Sequence, residues 1–235
     1  MKKLLVILAG FLLTTGLRAQ QVNDANAEVR EAKGFHGINL SSAFDVYLTQ
    51  GSEEAVAVSA SETKFRDRIK VDVRDGILIV KYESEGKFWN TGNKKLKAYI
   101  SFKQLDKLNI SGACDVYING TLKANDLNIH QSGASDLKGK IEVKKLTVDL
   151  SGASDILVSG NAQDLDVEAT GASAFKGFEL VTETCNARAS GASDIKITVN
   201  GELSAHASGA SDVRYKGSGV IKDLKSSGAS SVSKS

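Results

Sequence analysis

At 235 residues the chain is long enough for one large or two modest domains, and 41% of it is apolar while only 6% is aromatic. With 22 glycines and no proline, its turns must rest on Gly, Asn, Asp and Ser, which excludes a proline-punctuated loop structure. A formal net charge of +2 leaves no concentrated basic surface for capturing phosphates and argues against a nucleic-acid partner.

Lys2 and Lys3, an apolar run from Leu4 to Leu13 and small residues before Ala19 form the pattern of a cleavable export signal over residues 1–19. The run is about half of the roughly 20 residues that a membrane-spanning helix needs. No cysteine follows it to carry a bacterial lipid anchor. The expectation is an exported chain, whether periplasmic, outer-membrane associated or secreted, with no transmembrane segment in the mature form. Cleavage after Ala19 would remove Lys2, Lys3 and Arg18, leaving 27 basic against 28 acidic residues, so the mature chain is near neutral.

Residues 20–107 read as an N-terminal β-sheet region that leads into and caps the remainder of the chain. INLSSAFDVYL (38–48) alternates apolar and polar residues. VAVSA, IKVDVRDGILIVKY and LKAYISF do so in further strands, with Arg74-Asp75-Gly76 as a hairpin turn. Between the last two lies GKFWNTG (86–92), where Phe88 and Trp89, the only tryptophan, stand in a polar loop. Exposed aromatic rings stack on sugar rings, which makes this pair the candidate binding residues; the plainer reading has them folded back over a sheet end.

From residue 108 to 235 the chain repeats. SGACDV, SGASDL, SGASDI, TGASAF, SGASDI, SGASDV and SGASSV place glycines at 112, 133, 152, 171, 191, 209 and 228, at intervals of 21, 19, 19, 20, 18 and 19. Four residues before each glycine stand Leu108, Ile129, Val148, Val167, Ala187, Ala205 and Leu224. Four residues after it stand Val116, Leu137, Ile156, Phe175, Ile195, Val213 and Val232. The residues flanking the first set are polar, as Asn128 and His130 around Ile129, and period two marks half-buried strands. One such unit per constant interval predicts an all-β fold, a right-handed parallel β-helix or β-solenoid of about 19 residues per coil. Stacked about 4.8 Å apart, the coils turn each apolar position into an internal ladder. Residues 38–48 fit the same template with Ser42 in the glycine place, so 20–107 and 108–235 are either two parts or one continuous domain.

The recurring box itself fits a corner between strands or a bend within one strand, and a corner is favoured. Glycine would supply backbone freedom there, and Ser and Asp would accept nearby backbone N–H groups. Asp follows three residues after the glycine in five of seven boxes, as Asp115, Asp136, Asp155, Asp194 and Asp212, a column that invites a calcium reading. One carboxylate per coil is sparse beside the nine-residue repeats of calcium-binding β-rolls, and Ala174 interrupts the column, so neither metal nor cofactor is expected. His36, His130 and His206 are too scattered for a metal set or a catalytic triad. Cys114 and Cys185 lie 71 residues apart, or about 18 Å along the stack, so both are expected to be free thiols.

FHGIN (35–39), FDVYLTQG (44–51), DGILIVKY (75–82) and the SGASD series from 111 onward resemble the bacterial head GIN domain family of auto-transporter adhesins. The resemblance spans essentially the whole mature chain and implies a β-helix-like fold, with no established reaction, substrate or catalytic residue. The expected function is an exported, non-enzymatic adhesin or cell-envelope binding or structural module. Its partner would be a glycan or another envelope component, with self-association through coil edges as a further mode. The alternative is a polysaccharide-degrading β-helix enzyme, whose active site should break the repeat. Ala174, Phe175, Cys114 and the loop carrying Trp89 are where the pattern fails.

Overall fold

The computed structural model describes residues 24–84 and 93–235. The export-signal segment 1–19 and the loop residues Phe88 and Trp89 lie outside the described residues. In chain order the N-terminal elements are β1 (Glu28–Arg30), β2 (Gly37–Leu40), β3 (Phe44–Gln50), β4 (Ala55–Ser59), α1 (Thr63–Arg66), β5 (Ile69–Arg74), β6 (Ile77–Tyr82) and β7 (Leu96–Phe102). The repeats continue as β8 (Lys107–Ile110), β9 (Asp115–Gln131), β10 (Asp136–Leu150), β11 (Asp155–Ala169), β12 (Ala174–Ala189) and β13 (Asp194–Ala207). The last are β14 (Asp212–Lys216), β15 (Val220–Ser226) and β16 (Ser231–Lys234).

The repeats stack as the predicted β-solenoid, about seven turns of roughly 19 residues. β9 to β13 pair in parallel, each with the next. Strands of 14 to 17 residues are far longer than the usual five or six, because each is bent within its coil. In β11, Ile156 and Val158 point inward. The chain then bends at Gly160 (φ 112°), and the alternation slips at Gln163 and Asp164 before Leu165, Val167 and Ala169 turn inward again. Register then builds ladders. Val46, Val116, Leu137, Ile156, Phe175, Ile195, Val213 and Val232 form one; Ile38, Leu108, Ile129, Val148, Val167, Ala187, Ala205 and Leu224 form another. All but the last rung of each is essentially inaccessible. Burying such a Val, Leu or Ile contributes about 1.5–3 kcal/mol, so every added coil extends the core by a similar increment.

The N-terminal region joins the same hydrogen-bonded sheet network. β2 and β3 form the degenerate coil around Ser42, and β6 and β7 pair beneath them in parallel. Beyond those, the pairing turns antiparallel: β5 on β6, β4 on β7 and β1 on β4. These strands close that end of the stack. The other end is different. Ile221 and Leu224 of β15 continue the inward ladders of β13, yet remain 45% and 37% exposed because no described coil stacks on them.

Candidate functional site

The box is a corner. Gly152 and Ala153 are both exposed while Ser154 is fully buried, so the alternation slips by one residue at the turn. The seven box glycines have φ between +74° and +85°. A Cβ on any of them would lie 2.2–2.8 Å from the carbonyl oxygen of the preceding box residue, which is a glycine in every case but the first. The turn therefore needs glycine for conformation and for close backbone stacking. Ser42, at φ 91°, is the exception because the layer beneath it is β6 and not another box, and its hydroxyl accepts the Tyr82 N–H at 3.2 Å. The serine two residues after each glycine points inward. Ser135, Ser154, Ser173, Ser193 and Ser211 each donate to the carbonyl three residues earlier, at 2.8–3.1 Å. Cys114 takes the same place, with Sγ 3.5 Å from the Ser111 carbonyl.

On the outward face after the box, Asp115, Asp136, Asp155, Asp194 and Asp212 stand in register, with Asp45 at the N-terminal end and Ala174 in the gap. A column of Lys138, Lys176, Lys196 and Arg214, interrupted by the exposed Leu157, runs beside them. Lys138 pairs with Asp136 (3.5 Å) and Arg214 with Asp212 (3.3 Å) in the same strand, whereas Lys176, beside Ala174, reaches back one coil to Asp155 (2.5 Å). Exposed pairs of this kind contribute at most about 1 kcal/mol each. The Ser231 hydroxyl, helped by Arg214, holds the Asp212 carboxyl below the usual carboxylate range. Among the described residues, no group of three or more His, Cys, Asp or Glu is placed to share a metal ion.

Towards the N-terminus the basic column gives way to Tyr117, Tyr47 and Tyr99, stacked with centroids 5.5 and 5.2 Å apart. Their ring faces cover one another, and Tyr99 donates its hydroxyl to Asp24 (2.9 Å). Burial pushes that phenol well above its usual range, and the Asp24 carboxylate adds to the shift.

The outward face before the box is of another kind. Its columns from Lys107 onward hold only hydrogen-bonding side chains: Asn128, Thr147, Asp166, Asn186 and Ser204 in one, and Asn109, His130, Asp149, Glu168, Arg188 and His206 in the next, with the box hydroxyls alongside. A shallow concavity of about 500 Å³ lies in its N-terminal half, lined by Asn39, Lys107, Asn109, Asn128, His130 and Asp149. Asn39, Asn109, His130 and Asp149 occupy consecutive rungs of one ladder. Within the described chain, the side chains of these four make no hydrogen bond or ion pair. The C-terminal half of the same face is committed: Arg188 pairs with Asp166 (3.3 Å), and His206 and Lys225 both pair with Asp223 (2.9 and 2.7 Å). Lys225 first and His206 second hold the Asp223 carboxyl below its usual range.

Among the described residues, no side chains at this face are arranged as a catalytic set. His36 Nδ1 meets Asp106 at 2.9 Å, but a Cβ on Gly76 would lie 2.6 Å from Nε2, so the far nitrogen abuts backbone where a triad would place a nucleophile. Asp149 and Glu168 are neighbours in register and both exposed on the flat strand surface, not enclosed in a cleft. Cys114 and Cys185 are buried and unpaired, and burial pushes both thiols up. Phe175 is accommodated by Gly177, where a Cβ would lie 2.4 Å from the ring. The irregularities at Ala174, Phe175 and Cys114 thus have packing or charge explanations.

The groove residues were not singled out by sequence reasoning. Asn39 and Asn109 carry no motif, and His130 is dismissed as one of three scattered histidines until the register brings it between Asn109 and Asp149. The signal available was the change in that column from amides to charges along the repeats.

No curated protein matches the chain. Three solved structures share its fold at 20–23% identity, each aligned over 89% of this chain. A "putative adhesin" from Bacteroides fragilis is 23% identical, with a TM-score of 0.83 over 96% of its own length. A "putative adhesin" from Parabacteroides merdae is 20% identical, with a TM-score of 0.68 over 95% of its length. A "putative lipid binding protein" from Parabacteroides distasonis is 22% identical, with a TM-score of 0.67 over 97% of its length. The family model described as "Putative auto-transporter adhesin, head GIN domain" matches residues 34–219, which cover the degenerate first coil and most of the solenoid. The chain belongs to this head GIN domain family.

Proposed function

We propose that the protein is an exported, non-enzymatic binding module of the cell envelope, acting as an adhesin through one face of its solenoid. The observation that carries this reading is the concavity before the box, where Asn39, Asn109, His130 and Asp149 have hydrogen-bonding capacity that the described chain does not use, although the neighbouring Asn128 donates to the Asp106 carbonyl at 3.3 Å. Membership of an adhesin family agrees with it, as does the export-signal pattern of residues 1–19. Exposed Ile221 and Leu224 on β15 support self-association of copies through coil edges as a further mode. The test is retention of the purified mature protein on isolated envelope fractions, with soluble products assayed in the same tubes and light scattering run across a concentration series. Retention without product release and a mass that grows with concentration are expected. Release of new reducing ends, abolished by Asp149→Asn or Glu168→Gln, would instead establish the polysaccharide-degrading alternative.

A further inference from the structure

We infer that the groove lined by Asn39, Asn109, Asn128, His130 and Asp149 binds a neutral, hydroxyl-rich polysaccharide, laid across the strands along the solenoid axis. This rests on the reading of the protein as a binding module and adds the site and the ligand class.

The chemistry of the lining excludes other classes in turn. The outward columns before the box hold no apolar side chain from Lys107 onward, the lining's Ile110 and Ile129 are buried, and the one apolar rung beside Asn39, Ile79, is half-buried, so the groove offers too little apolar surface to grip an acyl chain or an apolar peptide anchor. Its strands β2, β8, β9 and β10 are paired on both sides, so no free edge exists there for an added peptide strand. Lys107 and Asp149 balance in charge, which removes the drive for a polyanion. What remains is a dense set of groups that both donate and accept. A carboxamide does both at once, as does a neutral imidazole, and so does each hydroxyl of a sugar. Half-buried Asn39 and Asn109 leave these capacities unused within the described chain.

Register gives the direction. Asn39, Asn109, His130 and Asp149 occupy successive strands, so equivalent side-chain positions recur about every 4.8 Å across the face, comparable to one pyranose ring in an extended glycan. Without an aromatic platform among the lining residues, each sugar contributes only hydrogen bonds exchanged against water, which are individually weak. Affinity must then accumulate along the polymer by repeated contacts.

The experiment is affinity electrophoresis and calorimetry of the full mature chain with an unbranched β-glucan, an α-mannan, a galactan, a uronic-acid polymer and anionic lipid vesicles. At least one neutral polysaccharide should bind, with affinity rising steeply from disaccharide to octasaccharide. Asn109→Ala should weaken it about 10-fold, and the combined Asn39→Ala, Asn109→Ala and His130→Ala variant at least about 50-fold. Lys196→Ala, on the face after the box, should change it less than about twofold. Thermal unfolding of each variant checks that the solenoid is intact. Binding of only the uronic-acid polymer or the vesicles would overturn this inference while leaving the binding-module reading standing. So would neutral-polysaccharide binding that the triple variant retains, and failure of every neutral polymer would overturn it as well. Cleavage of the polymer would overturn the non-enzymatic reading instead.

Discussion

Glycine at the centre of each box meets two demands, a left-handed backbone and a carbonyl pressed against the place where a Cβ would stand. Gly152 lies at φ +74°, and its Cβ position is 2.5 Å from the Gly133 oxygen, with backbone on both sides of the contact. Gly152→Ala is therefore expected to cost about 2–4 kcal/mol, combining the left-handed penalty with overpacking that has no flexible side chain to yield. Ser42→Gly should stay within about 0.5 kcal/mol, because relief of positive φ offsets loss of the hydroxyl that accepts from Tyr82. Urea denaturation midpoints of the two variants measure this directly. Equal effects would mean that stacking of boxes does not set the glycine requirement. The inward serine beside it is equally local, since its hydroxyl bonds within its own box.

At the scale of the element, a coil is held by its ladders and by the coils on either side, and the last coil has only one neighbour. β15 and β16 are largely exposed, and their polar ties involve Asp223 with Lys225 and His206, and Asp212 with Ser231 and Arg214. Both carboxyls sit below their usual range in the folded protein. Their contribution is thus fully present above the unfolded value of about 3.9 and is lost as pH falls through the lower folded values. Protection factors of amides in β14 to β16, taken against the intrinsic exchange rate at each pH, should fall below about pH 4, while those of β10 to β12, stacked on both sides, stay high. A fall in those protection factors on raising the pH from 4 to 7 would contradict the sign. Much of the coil was legible in the sequence: period-two alternation and a constant interval were enough for the ladders, because side-chain direction in a strand follows position alone. The corner was less legible, since a slip in alternation at Gly152 and Ala153 depends on φ and not on residue type. Phe175 with Gly177 was not legible at all, because their contact depends on how a ring lies inside the coil.

For the whole molecule, the stack turns a one-dimensional repeat into flat faces with different chemistry. The face after the box is an acid–base ladder in which Asp136, Asp155 and Asp212 are paired with basic neighbours, and the Asp column drew attention in the sequence because it obeys the repeat. The face before the box varies from coil to coil, from Asn39 and Asn109 to Arg188 and His206, and that variation is visible in the sequence but meaningless until register aligns it. The N-terminal side of the stack is closed by antiparallel strands, a feature that the repeat pattern alone did not carry.

The claim that the face before the box is the binding surface is tested most directly by solution NMR, following backbone and Asn side-chain amides during titration with an oligosaccharide of the best-bound neutral polysaccharide. The account predicts shifts concentrated at Asn39, Asn109, Asn128 and His130, on strands β2, β8 and β9, with the aspartate ladder from Asp115 to Asp212 unmoved. Shifts confined to residues 85–92 or to the face after the box, with the groove silent at saturation, would contradict it.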